Sequence, residues 1–438
     1  MNGSKEDDLV KRLKAHPILT ARFEALLKLA ENTRGDVITA NEAERQTIEG
    51  VRNLGHELLQ DWAQQRVKAS VKELKAREQN LKGHGKKKIA WHTTFGDVTV
   101  WEPVFIQPRK QFRPFSTSAG VSNRGCSLPL PRVIVDFGAD HAFGRVSNKL
   151  HEHYGITIAT STIRYLTQHH GQQIFKQEKR SDTIPDRAGC AIQIAQLDGS
   201  MIPTVRIDEN AKDRRKNKTL LWKEARLSLA HEQGSATPKF GAVFAGHVDE
   251  AGQCLLNSAI WAGFGKQTYL HVVGDGAPWI AEQVEDQFGS QGHYLLDFYH
   301  VCNYLAAASQ ASVKEGDAQN PLESWKHALK NHEYETVIDH LKPDLEANEV
   351  DDNHAPIRVC HRYLSNHSHQ LDYKTAINQG LPIGSGEIES AHRYVIQERL
   401  KLSGAWWKAN HVDSMLALRV LSANNEWNRY WEQLAQET

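Results

Sequence analysis

The chain has 438 residues, 40% of them hydrophobic and 24% charged, which fits several domains with buried cores and excludes a disordered or fibrous protein. No apolar run approaches the roughly 18 residues of a membrane span, and the charged start from Met1 to Val10 is unlike a signal peptide, so a cytoplasmic protein without a membrane partner is expected. Five widely spaced cysteines, at 126, 190, 254, 302 and 360, exclude a CxxC zinc ribbon and argue against a disulfide framework. The zero net charge is unevenly spread: residues 51–180 carry about +11 and residues 181–438 about −10. A basic front and an acidic back suit a protein that grips a polyanion with one part and holds metal ions with another, or equally two domains with unlike surfaces.

Residues 5–80 read as helices, with apolar residues at helical spacing from Leu9 to Leu27 and again from Ile48 to Trp62. The run Lys82–Lys88 reads as a flexible basic linker. Thr93–Pro108 alternates like a hairpin with a turn near Glu102-Pro103, and Arg113–Pro131 reads as loop. Residues 139–175 read as a helix-turn-helix: Phe143, Val146 and Leu150 on one helix, Gly155 as the break, Thr160 capping a second. That second helix would show Thr162, Arg164, Thr167, Gln168 and His169 to DNA bases or phosphates.

From Ala191 the pattern turns to strands and helices. Strands are expected at Ala191–Leu197, Met201–Ile207 and Leu220–Ala230, with a basic loop holding Lys212, Arg214, Arg215, Lys216 and Lys218 between the last two. A helix near Gln253–Phe264 follows, then strand Tyr269–Val273, helix Pro278–Gln287 and strand Tyr294–Leu296. The order β-β-β-α-β-α-β-α indicates an α/β catalytic core with a ribonuclease-H-like mixed sheet. Residues 313–380 read as a helical insertion, and the fold resumes at Ile383 with a long helix to about Lys401. The expected divisions are thus 1–81 (helical, for dimerisation or DNA ends), 89–180 (hairpin and helix-turn-helix), 190–312, 313–380 and 381–438.

Asp198 and Asp275 each follow a strand, and Glu387 and Glu389 open the late helix. Parallel neighbouring strands would bring the two aspartates to one sheet edge, with a helix-borne glutamate at the side. Such oxygen donors suit two Mg²⁺ ions about 4 Å apart, or Mn²⁺ in their place, the arrangement that activates an attacking oxygen and stabilises a leaving one at a phosphodiester. Asp-Gly after a strand is also an ordinary turn. The two glutamates point to nearly opposite helix faces, and position alone does not choose between them. His392 and Arg393, one turn beyond Glu389, would reach a phosphate or form a plain surface pair.

Five segments taken together resemble the blocks of bacterial insertion-sequence DDE transposases, with the Kra-type group the nearest pattern: Leu197-Asp198-Gly199, Trp222-Lys223-Glu224, Gly274-Asp275-Gly276-Ala277-Pro278-Trp279-Ile280, Leu296-Asp297-Phe298-Tyr299-His300 and Gly384–Glu389. The tail, with Arg399-Leu400-Lys401, Gly404, Trp407, Trp427 and Trp431, is similar to that group's C-terminal pattern. The resemblance implies an acidic triad of Asp198, Asp275 and Glu389, thereby choosing Glu389 over Glu387, and puts Asp297 and His300 near the scissile phosphate. It further implies a nucleoid-associated bacterial enzyme that binds double-stranded DNA, both element ends and target, through residues including Arg393, Arg399 and Lys401. Two ends held together require a homodimer or higher oligomer. A catalytically silent DNA-binding relative and a nuclease or junction resolvase are the alternatives.

Overall fold

The computed structural model describes residues 3–32, 34–178, 180–208, 210, 217–312 and 321–437. Two compact units make up the chain, Met1–Thr167 with Arg429–Thr438, and Gln168–Asn428.

The first unit opens with helices α1 (Gly3–Ala15), α2 (Pro17–Glu31) and α3 (Ala40–Arg77). Pro17 supplies a preset φ at the start of α2, and left-handed Asn32 ends it. Thr39 caps α3 by accepting from Glu42 N. Three antiparallel strands follow in the order β1-β2-β3: β1 (Lys82–Thr93), β2 (Gly96–Gln107) and β3 (Lys110–Phe112). Ala63 of α3 shares their core with Ile89, Val98, Val100 and Phe115.

This corrects three expectations. Lys82–Lys88 is strand, not linker: it forms the outer part of edge strand β1, where exposed lysines and glycines are tolerated. The hairpin turns at Thr94-Phe95, and Glu102-Pro103 lies inside β2 beside an irregularity in the β1 register between Gly83 and Lys86. Glu102 is fully buried and accepts hydrogen bonds from Ser116 N, Ser116 Oγ and Arg113 Nε. It thereby fixes the start of α4 (Pro114–Ala119), a helix where loop was expected.

Next come α5 (Pro129–Asp140), α6 (Phe143–Tyr154) and α7 (Thr160–Gln177). Gly155 adopts φ +69° at the end of α6, as its place between two helices requires. Leu130, Ile134, Val146, Leu150, Ile156 and Ile163 form the core of this helical trio. Thr167 is buried rather than exposed on α7; its hydroxyl donates to Ile163 O, and its side chain fills the space where Gly138 lacks one.

In the second unit a five-stranded mixed sheet has the order β6-β5-β4-β7-β8. Strands β4 (Ile192–Ile207), β5 (Lys218–Glu232) and β6 (Lys239–Phe244) form an antiparallel meander; α8 (Val248–Trp261) leads to β7 (Tyr269–Gly274), and α9 (Pro278–Phe288) to β8 (Gly292–Leu296). β7 lies parallel to both β4 and β8. The expected order of strand and helix types is present, built from different pieces. The two strands anticipated at 191–207 are one, because fifteen cross-strand pairs with β5 carry β4 straight through Asp198, and β6 supplies the third.

Alternation sorts the sheet's two faces. Ala195, Leu197, Leu270 and Val272 meet α8 and α9, around Leu255, Leu256, Ile280 and Val284. The opposite face carries Gln196 and His271, which bond to the segment running into α15 (Gly386–Ala391).

After α10 (Phe298–Ser312), the expected insertion is helical in its described part: α11 (Leu322–Lys330), α12 (Tyr334–Leu341), α13 (Pro356–Asn366) and α14 (Tyr373–Asn378). Residues 313–320 of the insertion lie outside the described residues. Trp325, Leu329, Val337, Leu364 and Tyr373 share one core with Leu296, Val301 and Leu305. The insertion therefore packs on β8 and α10, and Trp325 and Leu329 are too buried to offer a dimer contact. The chain closes with a π-helical turn (His392–Gln397), α16 (Glu398–Leu400), α17 (Val412–Ala423) and α18 (Trp427–Glu437). Among the described residues no helix is long and apolar enough to cross a membrane.

His271 donates through Nε2 to Pro382 O at 2.8 Å, and burial lowers its pKa. The folded chain keeps it neutral while the unfolded chain protonates below about pH 6.5. This contribution is complete above that pH and declines as pH falls below it. The unfolding midpoint of His271→Gln should accordingly fall less between pH 7 and pH 5 than that of the unaltered protein; equal falls would refute the assignment.

Candidate active site

β4 and β7 pair in parallel with Gln196 opposite Val273. Asp198 lies two residues beyond Gln196 on the same face of β4, and Asp275 lies two residues beyond Val273, directly after the end of β7. Both aspartates are half-buried. Asp198 is not at a strand end: β4 continues past it, paired to β5 alone, with Asp198 opposite Leu227.

The turn after β7 is fixed from several sides. Asp275 Oδ1 accepts from Ala277 N, Gly276 N donates to Tyr294 Oη at 3.0 Å, and Tyr363 Oη donates to Asp275 O at 2.8 Å. Gly276 has φ +91°, and a Cβ there would stand 2.5 Å from Tyr363 Oη, so this position requires glycine. Tyr363 belongs to α13, which makes the insertion a direct support of the Asp275 turn.

The structure separates the two glutamates of α15. Glu387 Oε2 accepts from His231 Nε2 at 2.8 Å, tying it to β5 four residues from the pair partner of Asp198. That bond lowers the Glu387 pKa and raises that of His231. Glu389 is exposed, one turn before His392 on the same side of the helix. His392 is 3% exposed, and its Nε2 stands 3.2 Å from Asp198 Oδ2. Ile388 N donates to Gln196 Oε1 at 2.8 Å, which pins the first turn of α15 to β4.

Asp297, expected at the reacting phosphate, is 4% exposed and has a different task. Its Oδ1 accepts from Tyr299 N and His300 N, capping α10, and its Oδ2 accepts from Ser385 N and Ser385 Oγ. One buried carboxylate thus joins the start of α10 to the entry of α15, with both oxygens occupied. His300 is half-buried and lies against Tyr304 and Tyr363, with ring centroids 5.6 and 6.2 Å away. Tyr363 thus links it to the Asp275 turn.

Lys401 donates to Ser200 Oγ at 2.7 Å, two residues beyond Asp198 on the same face of β4. Burial lowers its pKa, and the nearby Asp198 opposes that shift. Arg399 is 2% exposed, with its guanidinium 4.7 Å over the Trp407 ring, so it is a core residue and not the DNA contact expected of it. Arg393 is exposed. Thr162 and Arg164 are exposed on α7 and Gln168 is half-buried. Arg214, Arg215 and Lys216 lie outside the described residues.

Among the described residues no three His, Cys, Asp or Glu side chains are grouped closely enough to hold a metal ion by themselves. The donor set nonetheless suits a divalent cation that takes one or two carboxylates from the protein and fills its shell with water and substrate phosphate oxygens. Sequence reasoning missed Gln196, Tyr294 and Tyr363. Only Gln196 carried a signal, as a lone polar side chain inside an apolar strand.

Residues 264–436 match the model of an uncharacterised protein family, UPF0236. Two curated UPF0236 proteins of Caldanaerobacter subterraneus subsp. tengcongensis are each 24% identical to this chain over 166 residues, 36% of its length. The matched stretch spans about a third of each relative, 33% and 32%. The assignment to Kra-type insertion-sequence transposases is overturned by these matches. Its blocks centre on Asp-Gly and Gly-Ser-Gly sequences, a turn-type composition that occurs in many families. Two solved structures of NurA, one bound to dAMP and manganese, align over 63% and 65% of this chain at 11% and 13% identity; their TM-scores of 0.11 carry no inference.

Replacing Asp297 by Ala removes a helix cap and leaves the buried Ser385 amide without its acceptor. A stability loss of about 2–4 kcal/mol is expected from these two effects. Denaturant titration measures it, and a loss under about 1 kcal/mol would contradict the clamp.

Proposed function

We propose that this protein is a divalent-metal-dependent enzyme that cuts DNA to free a 3′-OH end and joins that end to another DNA duplex. The reading is supported foremost by one observation: β4 and β7 pair in parallel up to Gln196 and Val273, and Asp198 and Asp275 each lie two residues beyond that last pair. The sheet order β6-β5-β4-β7-β8, with a meander followed by two parallel strands, supports reading the core as ribonuclease-H-like, and we adopt that fold reading as part of the proposal.

A bound divalent cation would supply charge neutralisation and activation of the attacking oxygen at the phosphodiester. Asp198, Asp275 and Glu389 would hold it, and Mg²⁺ or Mn²⁺ suits these oxygen donors. The chain's own residues do the rest. Ser200 orients Lys401 beside Asp198, where its ammonium meets a backbone phosphate. Asp297 and Gln196 hold the entry of α15, the helix that carries Glu389. Cleavage and joining are both substitutions at phosphorus, so one site serves both. Exposed Arg164 and Thr162 on α7 would read the DNA ends, and duplex DNA is the proposed substrate throughout.

Two outcomes test this reading. Asp198→Asn and Asp275→Asn should each abolish metal-dependent nicking of duplex DNA while leaving DNA binding within about twofold, because the charge removed lies on the metal side. Nicking retained by both variants would contradict the site, and nicking without joining would reduce the activity to that of a nuclease. Arg164→Ala should weaken sequence-specific binding by about 1–3 kcal/mol in a gel-shift titration, with an unchanged affinity removing α7 from the interface.

A further inference from the structure

Beyond Asp198, β4 and β5 run on as an antiparallel arm that β7 does not follow. β4 pairs with β7 only as far as Gln196, but with β5 as far as Ile207. Residues 401–408 pass along the other edge of β4, where Val205 N donates to Trp407 O at 2.8 Å and Thr204 pairs with Trp407. One face of this arm belongs to the core: Ile202, Thr204 and Trp407 are buried. Alternation puts Met201, Leu220, Trp222 and Trp406 on the other face, where each is 45–56% exposed.

An antiparallel arm with one buried face ordinarily turns polar side chains to water on the other. Packing therefore accounts for Ile202 and Trp407 and leaves two large exposed tryptophans without a task. A contiguous apolar face of this kind marks a binding surface. Its surroundings are cationic. Lys218, on the same face of β5, holds its ammonium 3.5 Å over the Trp406 ring. Residues 200–207, 218–223 and 401–408 carry Arg206, Lys218, Lys223, Lys401 and Lys408, and no Asp or Glu. Glu224, the next residue of β5 on this face, is already paired with Arg226 at 2.6 Å. Exposed aromatic rings among cations suit an anion that also offers flat apolar faces. Single-stranded nucleic acid has both, whereas a duplex keeps its base faces stacked inside.

We infer that Trp222 and Trp406 form a stacking platform for the bases of single-stranded DNA, with Lys218 meeting its backbone. The choice of DNA rests on the reading above, and the platform extends it: it would hold a strand parted from its duplex.

The test uses the full chain in EDTA, so that binding is read without cutting. Fluorescence anisotropy compares a labelled oligothymidylate of about 20 nucleotides, an abasic strand of equal length and a duplex. The unaltered protein should bind the abasic strand at least about tenfold more weakly than oligothymidylate, because the phosphates are kept and the base faces removed. Trp222→Ala and Trp406→Ala should each weaken oligothymidylate binding about tenfold, with Trp222→Phe close to the unaltered protein and duplex affinity within about twofold throughout. Equal affinity for the abasic strand overturns the inference without reliance on any variant folding. Unchanged oligothymidylate binding in both folded alanine variants overturns it equally, and a lower molar mass of those variants in solution would then give the face to a second copy of the chain. The result is independent of nicking: nicking retained by Asp198→Asn and Asp275→Asn would remove the proposed active site and leave the platform, and equal binding of the abasic strand would do the reverse.

Discussion

The parallel pairing of β4 with β7 is the constraint on which the rest depends. A parallel ladder fixes which residues stand side by side, and the two-residue side-chain period fixes which face they share. With Gln196 opposite Val273, Asp198 on β4 and Asp275 just after β7 each lie two residues beyond the last pair. A slip of one residue would turn one aspartate into the α8 and α9 core, where Leu197 and Val272 sit. The buried residues on that core face hold the register, so the hydrophobic pattern and the position of the carboxylates are one and the same choice.

Around that pair the protein relies on buried polar groups that join distant segments. Gln196, His271 and Asp297 each bond to residues 382–388, from three different elements of the sheet and its following helix. Each is nearly or fully buried, where an unmade hydrogen bond is destabilising. Together they set where α15 begins and therefore where Glu389 and His392 face. Tyr363 does the same for the Asp275 turn from within the helical insertion. The insertion thus supports the sheet instead of projecting from it, as its shared core with β8 and α10 also requires.

Much of the second unit was legible in the sequence, because long apolar runs with acidic or glycine-rich ends mark β7, α9 and β8 closely. The failures have physical causes. Asp198-Gly199-Ser200 has turn composition, yet pairing with β5 across the whole segment outweighs that local preference. Pro114 and Pro129 were read as loop signals, whereas each sits in the first turn of a helix. Lys82–Lys88 resembles a linker because edge strands carry the same residues. At the site, the two aspartates follow from strand patterns, but the tasks of Asp297, Glu387 and Arg399 depend on contacts across 88, 156 and 8 residues of chain, which no local pattern encodes.

The proposed chemistry depends most directly on where a cation binds. Crystals of the full chain soaked in Mn²⁺ and measured at the manganese absorption edge would locate it by anomalous scattering. The account predicts a peak in the space between Asp198 and Asp275, within about 2.2 Å of Asp198 Oδ2. A site-specific peak elsewhere in the second unit, with none between the two aspartates, would contradict it.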